Sequence, residues 1–480
     1  MRASETGRIV PAASGSALAV ETVLERIERE SKGRIPTRVT TIGFFVAAIA
    51  IVVSWEVYLF SYGQPQNYLA LAAGLAAVAG LSLTPALGAY ARGLDQRAIA
   101  ALLERWCLLA VFVACLAFYA VSMFPSTPYN EQVRQAFAFL HGHTYLDAPP
   151  DYIEHAQVGG FSYALHPPLP AFLITPVVAI WGMDTSQTMF SVVIGALDVV
   201  LAWMLLGRLR LRVAPRTWLA IFLGAGTVLW YESVLGTTWA LPMNTAVLFT
   251  LAALIELYGE ARPLWLGIFA ALAALARYDM VLAAPVYALL VWRKRGSLRE
   301  LLWMAPGFIV VGALFVAFNE VRFRTFFDVS LWFIPDADAK RWFGLDYLPN
   351  NLYTVFFMAP KVDGTFPYFH PTFMGQAITL TSPAMVLALR SSLKRLETAA
   401  MGAAAVLVSV PSLLHYANGW EQFGTRHYIP AFPFLLVMMA IGMRRRADQL
   451  SKILIGVSVI LVAFGVWHVH LWGLDVSGSE

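Results

Sequence analysis

The chain has 480 residues, of which 59% are hydrophobic and 13% charged, with a formal net charge of +4. A soluble domain carries about 25% charged residues, and here long apolar runs recur along nearly the whole length. That excludes a cytosolic enzyme, a secreted scaffold, a disordered chain and a DNA-binding module, and continuous rather than alternating runs exclude a porin-like barrel.

In chain order, the first 40 residues are polar and carry seven Lys or Arg, which fits a cytoplasmic tail with no cleavable signal peptide. Within it Val20, Val23, Leu24 and Ile27 fall at helical spacing, the pattern of an amphipathic helix. Thirteen candidate membrane spans follow, at 41–61, 68–89, 106–123, 186–206, 217–232, 243–258, 263–276, 280–292, 302–319, 372–389, 398–415, 428–443 and 452–472. The expected fold is therefore an all-α, polytopic membrane protein. The 15-residue apolar stretch 167–181 would rise only about 22 Å, short of the ~30 Å hydrocarbon core. It also contains Pro167, Pro168, Pro170 and Pro176, and we assign it to a helix along the external interface. Cys107 and Cys115 share one apolar helix, roughly 12 Å apart, too far for a disulfide.

Charge orients these spans. With the N-terminus in the cytoplasm, the cytoplasmic segments hold 26 Lys and Arg and the external ones 8. This asymmetry matches the positive-inside rule and supports a hairpin at 277–279. It leaves two large external loops, 124–185 and 320–371, and a smaller one at 416–427. Every cytoplasmic loop is short, so any chemistry faces outward. Arg outnumbers Lys 28 to 6, the usage of a GC-rich bacterial genome.

Each external loop carries a polar group at a membrane edge. The first opens PYNEQVRQAFAFLHG (128–142), placing Asn130, Glu131, Arg134 and Gln135 within about two turns. Glu131 and Arg134, three apart, share a helix face. The plainer alternative is a helix start capped by Thr127, with Glu131 at its positive end. Further on, His166 precedes Pro167–Pro168, which forces an extended elbow that either presents the imidazole or merely anchors the chain. The second loop begins FNEVRFR (318–324), and Arg322 and Arg324 suit a phosphate or pyrophosphate, unless they pair with Glu320, Asp328, Asp336 and Asp338. The third, HYANGWEQFGTRHYIP (415–430), gathers Glu421, Gln422, Arg426, His427 and Tyr428 at a helix mouth, where a Glu421–Arg426 ion pair is the simpler reading. Asp198 lies within a span, either functional or paired inside the bundle. No P-loop, zinc-binding HExxH, GxSxG or dinucleotide fingerprint is present.

Together, the acidic start of the first loop, PPLPAFLITPVVAIWG (167–182), FN-x-x-RF (318–323), FPYFHP (366–371) and QFGTRHYIPAFPF (422–434) resemble the GT-C superfamily of polyprenyl-phosphate-dependent glycosyltransferases. The branch is the one related to protein O-mannosyltransferases and lipid A aminoarabinose transferases. The resemblance covers residues 103–443. It implies a GT-C-like core there, two added N-terminal spans within 41–102, and a last span and external C-terminus in 444–480. It also implies a multi-pass protein of a bacterial inner membrane with its active site outside. The donor would be a sugar on a polyprenyl phosphate, and the acceptor a glycan, a lipid or a protein. Membrane lipid is a partner and nucleic acid is not. Glu131 is then the expected base, with Asn130 positioning it or the acceptor, unless a later carboxylate of the same loop (Asp147, Asp151 or Glu154) takes the role. Arg426, His166 and Arg322 would contact the leaving phosphate, and Arg134, Arg324, Glu421, Gln422, His427 and Tyr428 would complete the substrate site. No cofactor is implied, although a divalent ion shared by carboxylates stays open. Many relatives start the first loop with an Asp–Glu pair and place Lys before the double proline, where this chain has Asn130–Glu131 and His166. Two alternatives follow: a transporter or flippase for lipid-linked glycans, and an inactive relative that only binds lipid phosphate.

Overall fold

The computed structural model describes residues 96–480 apart from 335–340, 418, 421, 444–446 and 473–480. The N-terminal tail and the spans expected at 41–61 and 68–89 lie outside the described residues, as do Glu421, Asp336, Asp338 and Lys340. The described chain is mostly helical. Gln187–Arg208, Ala240–Tyr258, Leu298–Phe323, Leu396–Leu414 and Gln449–Leu471 are each long and apolar enough to cross a membrane. Val213–Ala225 and Leu229–Leu235, bent by 48°, make a sixth if they count as one broken span. The break follows from sequence: Thr227 Oγ1 donates back to Leu223 O and accepts from Leu229 N, replacing ladder bonds that the bend removes.

Shorter helices fill the expected positions at 263–276 and 432–442. Arg277 is extended (φ −155°, ψ 115°) and ends the helix Pro263–Ala276. The next helix, Ala284–Arg295, returns so that Arg295 Nε donates to Ala261 O at 3.2 Å. The chain therefore reverses at Arg277, as the charge pattern requires. Where these helices meet the span Leu298–Phe323, Gly267 and Gly307 lie face to face: a Cβ on Gly307 would come within 2.6 Å of the Gly267 carbonyl carbon. Small residues are what allow such backbone approach between apolar helices.

Two expectations need correction. Residues 372–389 are no continuous span: the chain runs irregularly to Ala377, then forms one turn, Ile378–Thr381, and a 3-10 segment, Pro383–Arg390. Pro383 lacks the N–H that would continue the helix, and Gly375 adopts φ +91°. Nor is the protein purely α. His155–Val158 pairs antiparallel with Phe161–Ala164 around Gly159–Gly160. Both glycines have positive φ, 60° and 82°, as tight hairpin turns demand. The FPYFHP stretch also ends in a small hairpin, Lys361–Val362 with Phe369–His370, whose His370 meets His468 of the last helix at 3.3 Å.

Most of the core is one cluster centred on the helices from Gln187 to Met443, with large buried side chains such as Trp230, Tyr231 and Phe434. A second, smaller core joins the helix Glu131–Leu140 to the proline-rich helix Leu169–Trp181 through Val133, Ala136, Ala171, Ile174 and Val178. The 13-residue helix at 169–181 is thus present, too short to span, and committed to holding the Glu131 helix.

Asp198 apart, charged groups among the described residues gather toward the two ends of the bundle. At one end Arg262 grips Glu256 through two bonds (3.0 and 2.7 Å), Lys294 donates to Leu257 O, and Arg390 pairs with Asp448 at 2.8 Å. These are the segments assigned to the cytoplasm by charge. At the other end the first, second and third loops and the turn at Arg277 converge. We expect a cysteine placed at exposed Asp151 to be labelled by an impermeant maleimide from outside, and one at Arg293 only after permeabilisation. Labelling of Asp151→Cys solely from the cytoplasm would invert the topology.

Candidate functional site

The site is assembled from the helix starts and loops at that second end. Glu131 is the first residue of its helix and is fully buried. The helix is tied down by Gln132, whose N–H donates to Gln187 Oε1 at 3.1 Å, while Gln187 Nε2 donates to Tyr129 O and Gly236 O. The expected cap is absent: Thr127 Oγ1 accepts from Tyr129 N instead, and Asn130, at the cap position, makes no side-chain cap bond. Asn130 Oδ1 accepts from Arg134 Nε at 3.0 Å, so Asn130 and Arg134 brace each other rather than Glu131.

The Gly159–Gly160 hairpin and the two prolines after it deliver His166 to Glu131. Glu131 Oε1 accepts from the backbone N–H of His166 at 3.3 Å and lies 3.0 Å from Nδ1. His166 was expected at the leaving phosphate; its Nδ1 is engaged by the carboxylate.

Arg322 holds the other side of the elbow. Its Nη1 donates to Ala164 O at 2.7 Å, and its Nη2 donates to Asn319 Oδ1 at 2.9 Å and Asp328 Oδ2 at 3.2 Å. The guanidinium lies over the rings of Phe318 and Phe323, 4.1 and 4.3 Å from their centroids. Tyr278 donates to the same Asp328 oxygen at 3.1 Å. Glu131 is close enough to act on Arg322 electrostatically. Arg324 does not join this group: it is exposed, adopts φ +56°, and ends the helix by donating its N–H to Glu320 O.

From the third loop, Arg426 is buried, donates Nη1 to Trp420 O at 2.7 Å, and sits 5.3 Å from the centre of the Trp239 ring. Trp239 in turn packs on Tyr129, two residues before Glu131. Gln422 is an internal brace: its Nε2 donates to Met374 O and Gly419 O, and its Oε1 accepts from Arg426 N. Tyr428 is buried, and among the described residues its hydroxyl has no hydrogen-bond partner. His427 feels the charges of Arg277, Arg426, His415 and His166. Burial first, and those cations second, hold its pKa well below the usual imidazole range. It is therefore a neutral group at neutral pH, not a cationic phosphate ligand.

Several members were not singled out from sequence. Arg277 donates to Asp279 at 2.7 Å and to Ser412 at 2.9 Å. Burial pushes the Asp279 carboxyl up, and Arg277 opposes that shift. Two ionisable residues in a three-residue turn between apolar helices were the available signal. Glu232, fully buried beside Arg426, has neither carboxylate oxygen bonded among the described residues. Glu131 Oε2, Gln132 Oε1 and both polar atoms of Gln135 are likewise buried without partners. Buried polar groups are almost always paired, so these atoms stand out among the described residues. A cavity of about 430 Å³ opens alongside, bordered by Thr127, Tyr129, Tyr231, Thr237 and Trp239. Among the described residues no group of three or more His, Cys, Asp or Glu is placed to hold a metal ion.

No family model matches the chain, and no curated protein or solved structure is similar to it.

Two outcomes are expected from this geometry. Arg277→Ala strands the buried Asp279 carboxylate, and losing one partner of such a pair costs about 3–5 kcal/mol. The thermal midpoint in detergent should fall sharply, and Arg277→Ala/Asp279→Ala should recover part of the loss; an unchanged single variant would make the pair unimportant. For His427, a depressed folded-state pKa means the unfolded chain binds the extra proton first, at its ordinary value near 6.5. Its stability contribution is complete above that pH and declines as pH falls. His427→Gln should therefore flatten the midpoint's decline on acidification, and an equally steep decline would contradict the assignment.

Proposed function

We propose that the protein is a GT-C-like glycosyltransferase that moves a sugar from a polyprenyl phosphate to an acceptor hydroxyl on the external face of a bacterial inner membrane. On this reading the chain crosses the membrane about thirteen times, with short and broken helices completing some crossings. The observation that carries the proposal is one juxtaposition at a single end of an apolar bundle: Arg322 lies within electrostatic reach of Glu131, which holds His166, and His427 lies within electrostatic reach of Arg277, Arg426 and His166.

Each part has a chemical use. The apolar bundle suits a lipid tail. Guanidinium groups in a low-dielectric site stabilise the charge that develops on a departing phosphate. A carboxylate–imidazole pair takes the proton of the attacking hydroxyl. The acceptor oxygen bonds to the anomeric carbon from the face opposite the phosphate. The carbon–oxygen bond to phosphate breaks, its electron pair stays on the phosphate, and the configuration inverts. The acceptor is a glycan, a lipid or a protein.

One observation favours transport as a second reading. Asp198 is fully buried, about 16 Å along the span Gln187–Arg208, and neither carboxylate oxygen is bonded among the described residues. An ionisable group at that depth is the mark of a transport pathway. In reconstituted vesicles, Asp198→Asn would then stop flipping of a fluorescent lipid-linked sugar, whereas the transferase reading predicts transfer without dependence on Asp198.

The transferase is tested with short-chain prenyl-phosphate sugars and an envelope extract as acceptor, measuring release of prenyl phosphate. The wild-type protein should release it, and donor affinity should fall roughly 10–100-fold in Arg426→Ala, the worth of a charged hydrogen bond. Arg426→Lys should fall less, since it keeps the charge and loses only the fork. Equal donor affinity in wild type and Arg426→Ala would remove Arg426 from the site.

A further inference from the structure

We propose that His166, through Nε2, is the atom that takes the acceptor proton, and that Glu131 is the positioning residue behind it. This rests on the transferase reading above and assigns the proton within it.

Accessibility separates the two groups. The Glu131 side chain is 0% exposed and that of His166 is 19% exposed. Glu131 Oε1 accepts from the His166 backbone N–H and lies 3.0 Å from its Nδ1, and Oε2 lies beneath the surface. A general base must come within about 2.6–3.2 Å of the proton it removes. The imidazole edge meets that requirement at the surface of the site; the carboxylate is shielded by the imidazole itself.

The bond pattern also fixes the tautomer. An ionised carboxylate only accepts hydrogen bonds, so Nδ1 of His166 must carry the proton it donates to Oε1. Nε2 then holds a lone pair, and among the described residues it makes no hydrogen bond. The ring is held at both ends. Before it, Ala164 O is clamped by Arg322 Nη1; after it, Pro167 and Pro168 stiffen the chain into the helix Leu169–Trp181. The neighbouring His427 is neutral at neutral pH and adds no positive charge against an imidazolium.

The step balances as follows. The acceptor O–H gives its proton to Nε2 as the oxygen bonds to the anomeric carbon. The bond from that carbon to the phosphate oxygen breaks, and the electron pair leaves with the phosphate. The imidazolium, steadied through Nδ1–H by the Glu131 carboxylate, later returns the proton to phosphate or water.

The test pairs transfer from a short-chain prenyl-phosphate sugar with nitrogen-15 NMR of the histidine rings in the resting protein. His166→Ala should lose about 10²–10⁴-fold in turnover with donor affinity kept, and added imidazole should restore part of the rate. Glu131→Gln should lose less, and its His166 ring should populate both tautomers where wild type shows Nδ1–H alone. Glu131→Asp should regain the single tautomer and part of the rate. Should His166→Ala fail to fold, His166→Asn, whose amide N–H can still donate to Glu131 but which carries no basic ring nitrogen, replaces it. Full turnover in either His166 variant, or inactivity of Glu131→Gln beside an active His166 variant, would overturn the assignment and return the proton to Glu131. A wild-type protein inert toward every lipid-phosphate sugar overturns the transferase reading, and the catalytic role of His166 with it.

Discussion

A single buried cation, Arg322, determines how the site is put together. Its guanidinium binds the hairpin through Ala164 O, its own helix through Asn319, and the second loop through Asp328, which also accepts from Tyr278. Hydrogen bonds to a charged group contribute about 1.5–3 kcal/mol each, and a cation this deeply buried is costly unless such bonds are made. Segments separated by as many as 158 residues are thereby forced into one register. The elbow carrying His166 follows directly from Ala164, so the position of the imidazole against Glu131 is a consequence of where Arg322 is held.

The same economy of charge explains the rest of that end of the bundle. Arg277 is neutralised by Asp279, and Arg426 lies over Trp239 near Glu232. His427, among these cations, stays uncharged. The result is a group of positive side chains held by aromatic faces, carbonyls and carboxylates, beside polar atoms left unbonded among the described residues. The opposite end of the bundle contrasts with it. There Arg262 is closed on Glu256, and Arg390 on Asp448. That end has ion pairs of the ordinary structural kind.

Much of this was legible in the sequence, and the reasons are physical. Long apolar runs require helices, so the spans at 187–208, 240–258, 396–414 and 449–472 follow from composition alone. Charge sorting put the first and second loops on one side, and Arg322 bonds Ala164 and Asp328 across them. The His–Pro–Pro elbow and the Asn130–Glu131 helix start were visible because proline and helix ends act locally. What failed depended on distant partners or on turn chemistry given too little weight. Residues 372–389 are apolar enough for a span, but Pro383 and Gly375 break them. The Gly159–Gly160 hairpin had a local signal, a Gly-Gly pair between short β-prone runs. Arg324 looked equivalent to Arg322, yet two positions along a helix end point elsewhere. Asp328 was among the partners the sequence offered for Arg322, and the two do pair, but nothing local distinguishes Gln422 as a brace.

The central claim is that a lipid phosphate occupies the confluence of these loops. The most direct measurement is photocrosslinking with a short-chain prenyl phosphate that carries a diazirine beside the phosphate, followed by peptide mapping. The account predicts adducts in 124–134, 163–168, 318–330 and 422–428, with excess unmodified prenyl phosphate competing them away. Adducts confined to the other end of the bundle, around 256–262, 293–301 and 390–397, would contradict it.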